Sequence, residues 1–361
     1  MAKKAIAFVL SIVMLSSILV GCSSGNTDAD TTVNEPEPTV NEPDTTMDTE
    51  PDTEAASDAA AFPVTIQHAY GETVIETQPE RVVTLFDSNA DAVLALGVVP
   101  VGVSKIGYGV VDENGQTSWT AAAFEALGAE VNAFDDTAGI DFEAVSDAAP
   151  DVIICPNSGI SQEEYDRLCE IAPTIPYTEM AYAITWAEQV AVTAKALGME
   201  EEGQKLIEDT NTIIADTVAA NPVLEGKTAA FCWIDPADLS VIYIYMPLDP
   251  RAGFLEELGL AFPEELDALS EEGAYAVTVS SENIDVLNCV DIIVCYGEES
   301  VIGELQSNPV INTVPAVANG AIVPISSTSE LYMGTYATVL SVPYVLDEYV
   351  GLLADAAAKI Q

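Results

Sequence analysis

The sequence predicts an α/β protein of two similar lobes, each a parallel-type sheet covered by helices, with one long helix between them. Three observations point there. Buried strand-like runs alternate with helical stretches over short connections, the pattern of a parallel sheet with helices on both faces. The stretch DFEAVSDAAPDVIIC at Asp141–Cys155 has a counterpart in SSENIDVLNCVDIIVC at Ser280–Cys295. Each has a glutamate, a short helical stretch, an aspartate and an apolar strand, with Glu143 and Asp151 eight residues apart and Glu282 and Asp291 nine. From Thr185 to about Ala220 no strand signal interrupts two helical stretches, the second about 22 residues and so ~33 Å long. An unbroken helix of that length makes a stiff spacer and a poor hinge.

The elements follow in order. PVTIQ and ETVIET alternate apolar and polar residues on either side of His68-Ala69-Tyr70-Gly71, which reads as a β-hairpin at a sheet edge. RVVTLFDS is a buried strand, ADAVLALG a helix ending on Gly97, and VVPVGVS a further strand. After the first copy of the duplicated unit, ISQEEYDRLCEIAP is an amphipathic helix opened by a capping box, Ser161 with Glu164 three residues on, and TIPYTE is a strand. Beyond the helical region, KTAAFCWI and SVIYIYM are strands. AGFLEELGL then echoes ADAVLALGV in its Leu255 and Gly259 against Leu94 and Gly97. The second copy follows, then the helix and turn of VINTVPAVANG, the strand AIVPIS and the closing helix PYVLDEYVGLLADAAAKI, so the second lobe repeats the scheme of the first. The expected boundaries are 62–184 for the first lobe, 185–221 for the helical segment and 222–361 for the second lobe.

Ten Lys and Arg against 59 Asp and Glu give a formal net charge of −49. Such a surface repels phosphate backbones, which argues against nucleic acid as a partner. At the start, Lys3 and Lys4 precede an apolar run from Ala5 to Val20, an export signal at 1–21 too short and too terminal for a stable span. Residues 22–61 hold eleven acids and no base, with almost nothing large and apolar, so they read as a disordered tether. Taking those eleven from 59, and the two signal lysines from ten, leaves 48 acids against eight bases in the folded part. The folded part is itself strongly acidic. Of the five cysteines after Cys22, Cys155, Cys232 and Cys295 sit in or at the end of β-like runs, where a thiol behaves as a small buried hydrophobe, and no disulfide is expected.

LVGC at Leu19–Cys22 resembles the bacterial lipobox, which implies cleavage before Cys22 and diacylglyceryl attachment to it. Two acyl chains meet the two-signal requirement for stable anchoring, so the protein is expected as a lipoprotein on the outer face of the cytoplasmic membrane. That signal is one of several in series. The others are the acidic tether, the hairpin, PERVVTL with ADAVLALGVVPVGVS, GIDFEAVSDAAPDVII, the long helix, DPRAGFLEELGL and VSSENIDVLNCVDIIV. Together they resemble the iron-siderophore substrate-binding lipoproteins of ATP-binding-cassette (ABC) importers, a group that shares its fold with cobalamin and haem binders. The resemblance covers residues 62–361. It implies two α/β lobes bridged by one rigid helix, ligand in the cleft between them, and capture of a ferric siderophore for delivery to an ABC permease and its separate ATPase. It also implies that Glu143 and Glu282, one on each lobe, meet arginines of the two permease subunits. Their position in the first turn of predicted helices suits a carboxylate, and two separated charges would fix docking orientation.

Ligands in open α/β sheets sit at the carboxyl ends of strands. The loops there hold Ser88, Asn89, Lys105, Tyr108, Asn157, Trp233, Tyr245 and Tyr332, with Arg251 opening the helix after DP. Bulky anionic chelates favour aromatic surface with Arg or Lys, which singles out Arg251 and Lys105 as cations and Trp233 and Tyr245 as stacking faces. Trp119 is a weaker candidate, and Trp186, at a helix start, is expected to pack. Sparse bases oppose a triply anionic catecholate, so a neutral or weakly charged hydroxamate or mixed chelate is expected. Iron comes with the chelator, so no cofactor or protein metal site is expected. Cobalamin or haem is the alternative ligand, with Tyr245, Tyr332 or Met333 available as axial groups. A direct zinc or manganese binder would need several histidines or clustered carboxylate ligands, and there is one histidine, His68, expected to be a structural hairpin residue. No Gly-x-Ser-x-Gly elbow and no Gly-rich phosphate loop is present, so an enzyme or sensor on this fold is the lesser reading. A monomer is expected.

Overall fold

The computed structural model describes residues 62–360 apart from 236, 271 and 272. The export signal, Cys22 and the acidic tether lie outside the described residues.

β1 (Val64–His68) and β2 (Gly71–Ile75) pair antiparallel around Ala69-Tyr70. Contrary to expectation this hairpin is not the edge of the larger sheet. It forms a two-stranded sheet of its own, and its alternate buried residues Val64, Ile66 and Ile75 pack into the first lobe. His68 fixes it: Nδ1 accepts the Tyr70 N–H at 3.2 Å, so Nε2 carries the proton and donates to Thr73 Oγ1 at 2.9 Å, and the Thr73 hydroxyl in turn donates to the Thr174 carbonyl at 2.6 Å. Burial holds the imidazole below its usual pKa.

The first lobe continues through β3 (Val82–Thr84), α1 (Asn89–Ala95), β4 (Gly102–Ser104), α2 (Ser118–Ala126), β5 (Ala133–Phe134), α3 (Phe142–Asp147), β6 (Val152–Ile154), α4 (Gln162–Cys169) and β7 (Thr174–Ile175). Its sheet is parallel throughout, in the order β5-β4-β3-β6-β7. The capping box at Ser161 and Glu164 opens α4 as expected. A second box, Thr185 with Glu188, opens α5 (Trp186–Leu197), and α6 (Glu200–Ala219) follows at once. The second lobe comprises β8 (Ala229–Asp235), β9 (Asp238–Tyr245), α7 (Pro250–Glu257), α8 (Glu264–Asp267) and β10 (Ala276–Ser280). After these come a 3-10 stretch at Ser281–Cys289, β11 (Ile292–Tyr296), α9 (Ser300–Ser307), α10 (Pro315–Asn319), β12 (Ile322–Ile325), α11 (Leu331–Gly334) and α12 (Val342–Ala357).

The second sheet runs β10-β9-β8-β11-β12 and is mixed, because β9 is antiparallel to both neighbours. The repeat between lobes is therefore β3-β6-β7 matched by β8-β11-β12, with the strand of each duplicated unit, β6 or β11, as the middle member. The duplicated aspartates do the same work. Asp151 accepts from the backbone N–H groups of Glu80 and Arg81 just before β3, and Asp291 accepts from that of Thr228 just before β8. Each anchors the entry of a central strand whose amide would otherwise lack a partner.

α6 ties the lobes together. Leu206 packs against apolar clusters of both, whereas Ile214 and Val218 belong to the cluster built from α7, α12 and the second sheet. Gly203 allows α5 and α6 to approach closely, since a Cβ there would lie 2.4 Å from that of Ala194. Among the described residues no helix is long and apolar enough to cross a membrane.

Candidate functional site

Between the lobes lies a cleft of about 340 Å³. Its first-lobe wall comes from the carboxyl ends of β3, β4 and β6. β3 leads into Phe86-Asp87-Ser88, whose outer two residues have positive φ (64° and 66°), uncommon for residues with a Cβ. Side chains hold this loop: Ser104 Oγ accepts the Phe86 N–H at 2.7 Å, and Ser88 Oγ accepts from Asn157 Nδ2 at 2.8 Å. Beneath it, Asn89 donates to the Asn157 carbonyl at 2.9 Å and accepts the Asn157 N–H at 2.9 Å, so the loops after β3 and β6 form one unit. Tyr108, half exposed on the loop after β4, donates its hydroxyl to Asp87. Burial raises the Asp87 carboxyl above the usual range, and the negative charge of Asp136 adds to this.

The second-lobe wall is aromatic. Tyr275, Tyr296, Tyr332 and Tyr336 line it with Met333 around Arg251. Arg251 occupies the first turn of α7, where a cation opposes the helix dipole. The N-cap Asp249 compensates: it is fully buried, accepts the Arg251 backbone N–H at 2.9 Å, and takes Nε at 2.9 Å and Nη2 at 2.5 Å. The guanidinium carbon stands 4.1 Å from the Tyr245 ring centre, and Nη1 donates to the Tyr296 hydroxyl at 3.1 Å. A planar cation sandwiched among phenol rings and fixed by one carboxylate is a preformed platform for a polarisable, oxygen-rich ligand.

Contacts cross the cleft. Asp91 of α1 accepts from Trp119 Nε1 (2.9 Å) and Thr120 Oγ1 (2.6 Å) of its own lobe and from Thr338 Oγ1 (2.6 Å) of the other. Burial pushes its pKa up to about 6 despite those donors. The Tyr336 hydroxyl reaches Asn157 Oδ1 at 3.1 Å and the Tyr182 carbonyl. Gly109, at φ 73°, sits so close to α11 that a Cβ would meet Met333 at 2.8 Å, which closes one side.

Of the residues expected from sequence, Ser88, Tyr108, Asn157, Arg251 and Tyr332 line this cleft. Asn89 lies just under it, and Tyr245 stands behind Arg251. Lys105 does not line it: strand alternation directs Ser104 towards Phe86 and Asp136, and Lys105 lies beside Gly115. Nor does Trp233, which is exposed on β8 and packs edge-on against Tyr243 of β9 at 5.3 Å. Trp119 does line the cleft, and Trp186 is buried with Nε1 on Glu257 at 2.8 Å. Sequence reasoning missed Asp91, Tyr182, Tyr275, Tyr296 and Tyr336. Tyr296 ends the run DIIVCY, and Asp91 is a lone charge in an apolar helix, so both carried a readable signal. Among the described residues no group of three or more His, Cys, Asp or Glu is placed to hold a metal ion. Glu143 and Glu282 are exposed, each at the start of the segment that follows the carboxyl end of a strand, β5 and β10. Glu143 opens an α-helix as expected, but Glu282 opens a 3-10 stretch kinked at Asn283.

Comparison with known proteins agrees with this architecture. PiaA of Streptococcus pneumoniae TIGR4, solved in complex with ferrichrome, is 38% identical, with a TM-score of 0.79 over 82% of this chain and 99% of that one. The Fe(3+)-citrate-binding protein YfmC of Bacillus subtilis is 26% identical over 255 residues, 70% of this chain and 75% of its own length. The ferric enterobactin-binding periplasmic protein FepB of Escherichia coli O6:H1 is 26% identical over 291 residues, 73% and 84% of the two chains. Residues 82–328 match the periplasmic binding protein family, and the chain belongs to that family.

Proposed function

We propose that this protein captures a ferric siderophore of the hydroxamate or mixed-chelate class outside the cytoplasmic membrane and hands it to an ABC permease for iron uptake. The cleft carries the reading: a cation fixed at Arg251 amid Tyr245, Tyr275, Tyr296, Tyr332 and Tyr336 faces a hydrogen-bonding wall from the other lobe. Such a surface holds the periphery of an oxygen-rich chelate by stacking and hydrogen bonding, while the chelator fills the iron's own coordination shell. Likeness to PiaA, seen with ferrichrome, supports the same class of cargo. The protein binds and releases without turnover. Cys22 carries the lipid that keeps it at the membrane, and it works as a monomer whose Glu143 and Glu282 meet the two permease subunits, the ATPase acting through them.

The test is a tryptophan-fluorescence titration, since Trp119 lines the cleft. Ferric hydroxamates should quench saturably at submicromolar concentration, ahead of ferric catecholates, haem and cobalamin. Arg251→Ala should weaken binding by roughly 30-fold, the loss of about 2 kcal/mol expected of a central interface arginine. Saturable quenching by haem or cobalamin alone would replace the siderophore reading.

A further inference from the structure

We propose that the first-lobe wall of the cleft, with Asp87 as its contact residue, selects ferric chelates that carry a protonated amine. This rests on the reading of the cleft as a ferric-chelate site and adds the charge of its cargo. Arg251 is the one basic side chain among the described residues lining the cleft, and its charge is already met by the buried Asp249 carboxylate through two side-chain hydrogen bonds. The opposite wall presents two carboxylates, Asp87 and Asp91, and among the described residues no cation lines it. A third, Asp136, stands behind them on Ser104 and raises the local negative potential further. The enclosed space is therefore net negative, and a polyanionic chelate entering it meets like charge before it meets a free cation.

The two lining carboxylates are not equivalent. Asp91 is saturated by Trp119, Thr120 and Thr338 and serves to join the lobes. Asp87 accepts from Tyr108 on one oxygen, and among the described residues no side chain donates to the other. It is held at the wall by Phe86 and Ser88, both in the left-handed backbone region and both locked by side-chain hydrogen bonds. This carboxylate, partly buried at the cleft wall, has no cation beside it among the described residues that line that wall, and a ligand ammonium would supply the counter-charge through a charge-assisted hydrogen bond. The aromatic wall would then take the body of the chelate, with its amine pointing at the first lobe.

The experiment compares two probes with the same iron shell: ferrioxamine B, a linear trihydroxamate ending in a primary amine, and its N-acetylated form, which is uncharged there. Calorimetric titration of the full-length protein should show the amine form binding at least about tenfold tighter, the size of one hydrogen bond to a charged group. In Asp87→Asn the ratio of the two affinities should fall to near one. Equal affinities in the unaltered protein would overturn the proposal without recourse to any variant. So would a preference that survives in Asp87→Asn, or a loss shared equally by both probes, which would mark Asp87 as a mere support for Tyr108. Binding of ferrichrome but of neither linear probe would sink the amine selection and leave the proposed function standing. Binding of no ferric hydroxamate would remove both.

Discussion

At the scale of single residues, the Arg251–Asp249 pair sets the character of the site. Asp249 is fully buried and Arg251 nearly so, and each is the other's counter-charge. Truncating the acid would strand a guanidinium among phenol rings. Asp249→Ala should therefore cost about 3–5 kcal/mol of stability, as breaking a buried pair does, read from the midpoint of urea unfolding. A change under about 1 kcal/mol would mean the arginine is hydrated in the folded protein. The strand-end rule located Ser88, Tyr108, Asn157 and Arg251 because these follow strands directly in the chain. Tyr275 and Tyr336 come from loops that no periodicity ties to the cleft, so only the folded arrangement reveals them. Trp233 misled because alternation along β8 tells which residues share a face, not how far covering helices extend over it: Phe231 on that face is buried and Trp233 is exposed.

At the scale of elements, α6 owes its place to a small residue. Gly203→Val would drive two methyl groups into Ala194, already 2.4 Å from the site of a Cβ, and should destabilise by about 1–3 kcal/mol through overpacking. Thermal unfolding of this variant beside Gly203→Ala would show a graded loss; no loss would mean that α5 and α6 are not in register contact there. The long helix, the capping box and the duplicated helix–strand unit were legible because each rests on local rules of spacing and capping. α2 and β5 were not foreseen: SWTAAAFEALG is nearly uniform in apolarity, and a two-residue strand carries no period at all. The antiparallel course of β9 was equally hidden, since strand character in SVIYIYM does not fix direction. The antiparallel register of β8 with β9, which pairs Asp235 with Asp238, shows it.

At the scale of the whole molecule, two lobes with matching strand cores meet across a cleft and share α6, and one exposed glutamate stands on each lobe. Because Glu143 and Glu282 lie outside the cleft, removing both should leave ligand binding within error and reduce uptake through the cognate permease. Unaltered uptake by the Glu143→Ala, Glu282→Ala double variant would show that docking uses other groups. The central claim, that cargo sits between the lobes, is tested most directly by a crystal structure of the protein with a ferric trihydroxamate, recorded at the iron absorption edge. A single anomalous iron peak should stand in the cleft, with Arg251 and Tyr332 on one side and Asp87 on the other. Iron on an outer surface, such as the exposed Trp233 and Tyr243 face, with the cleft free of chelate, would contradict the account.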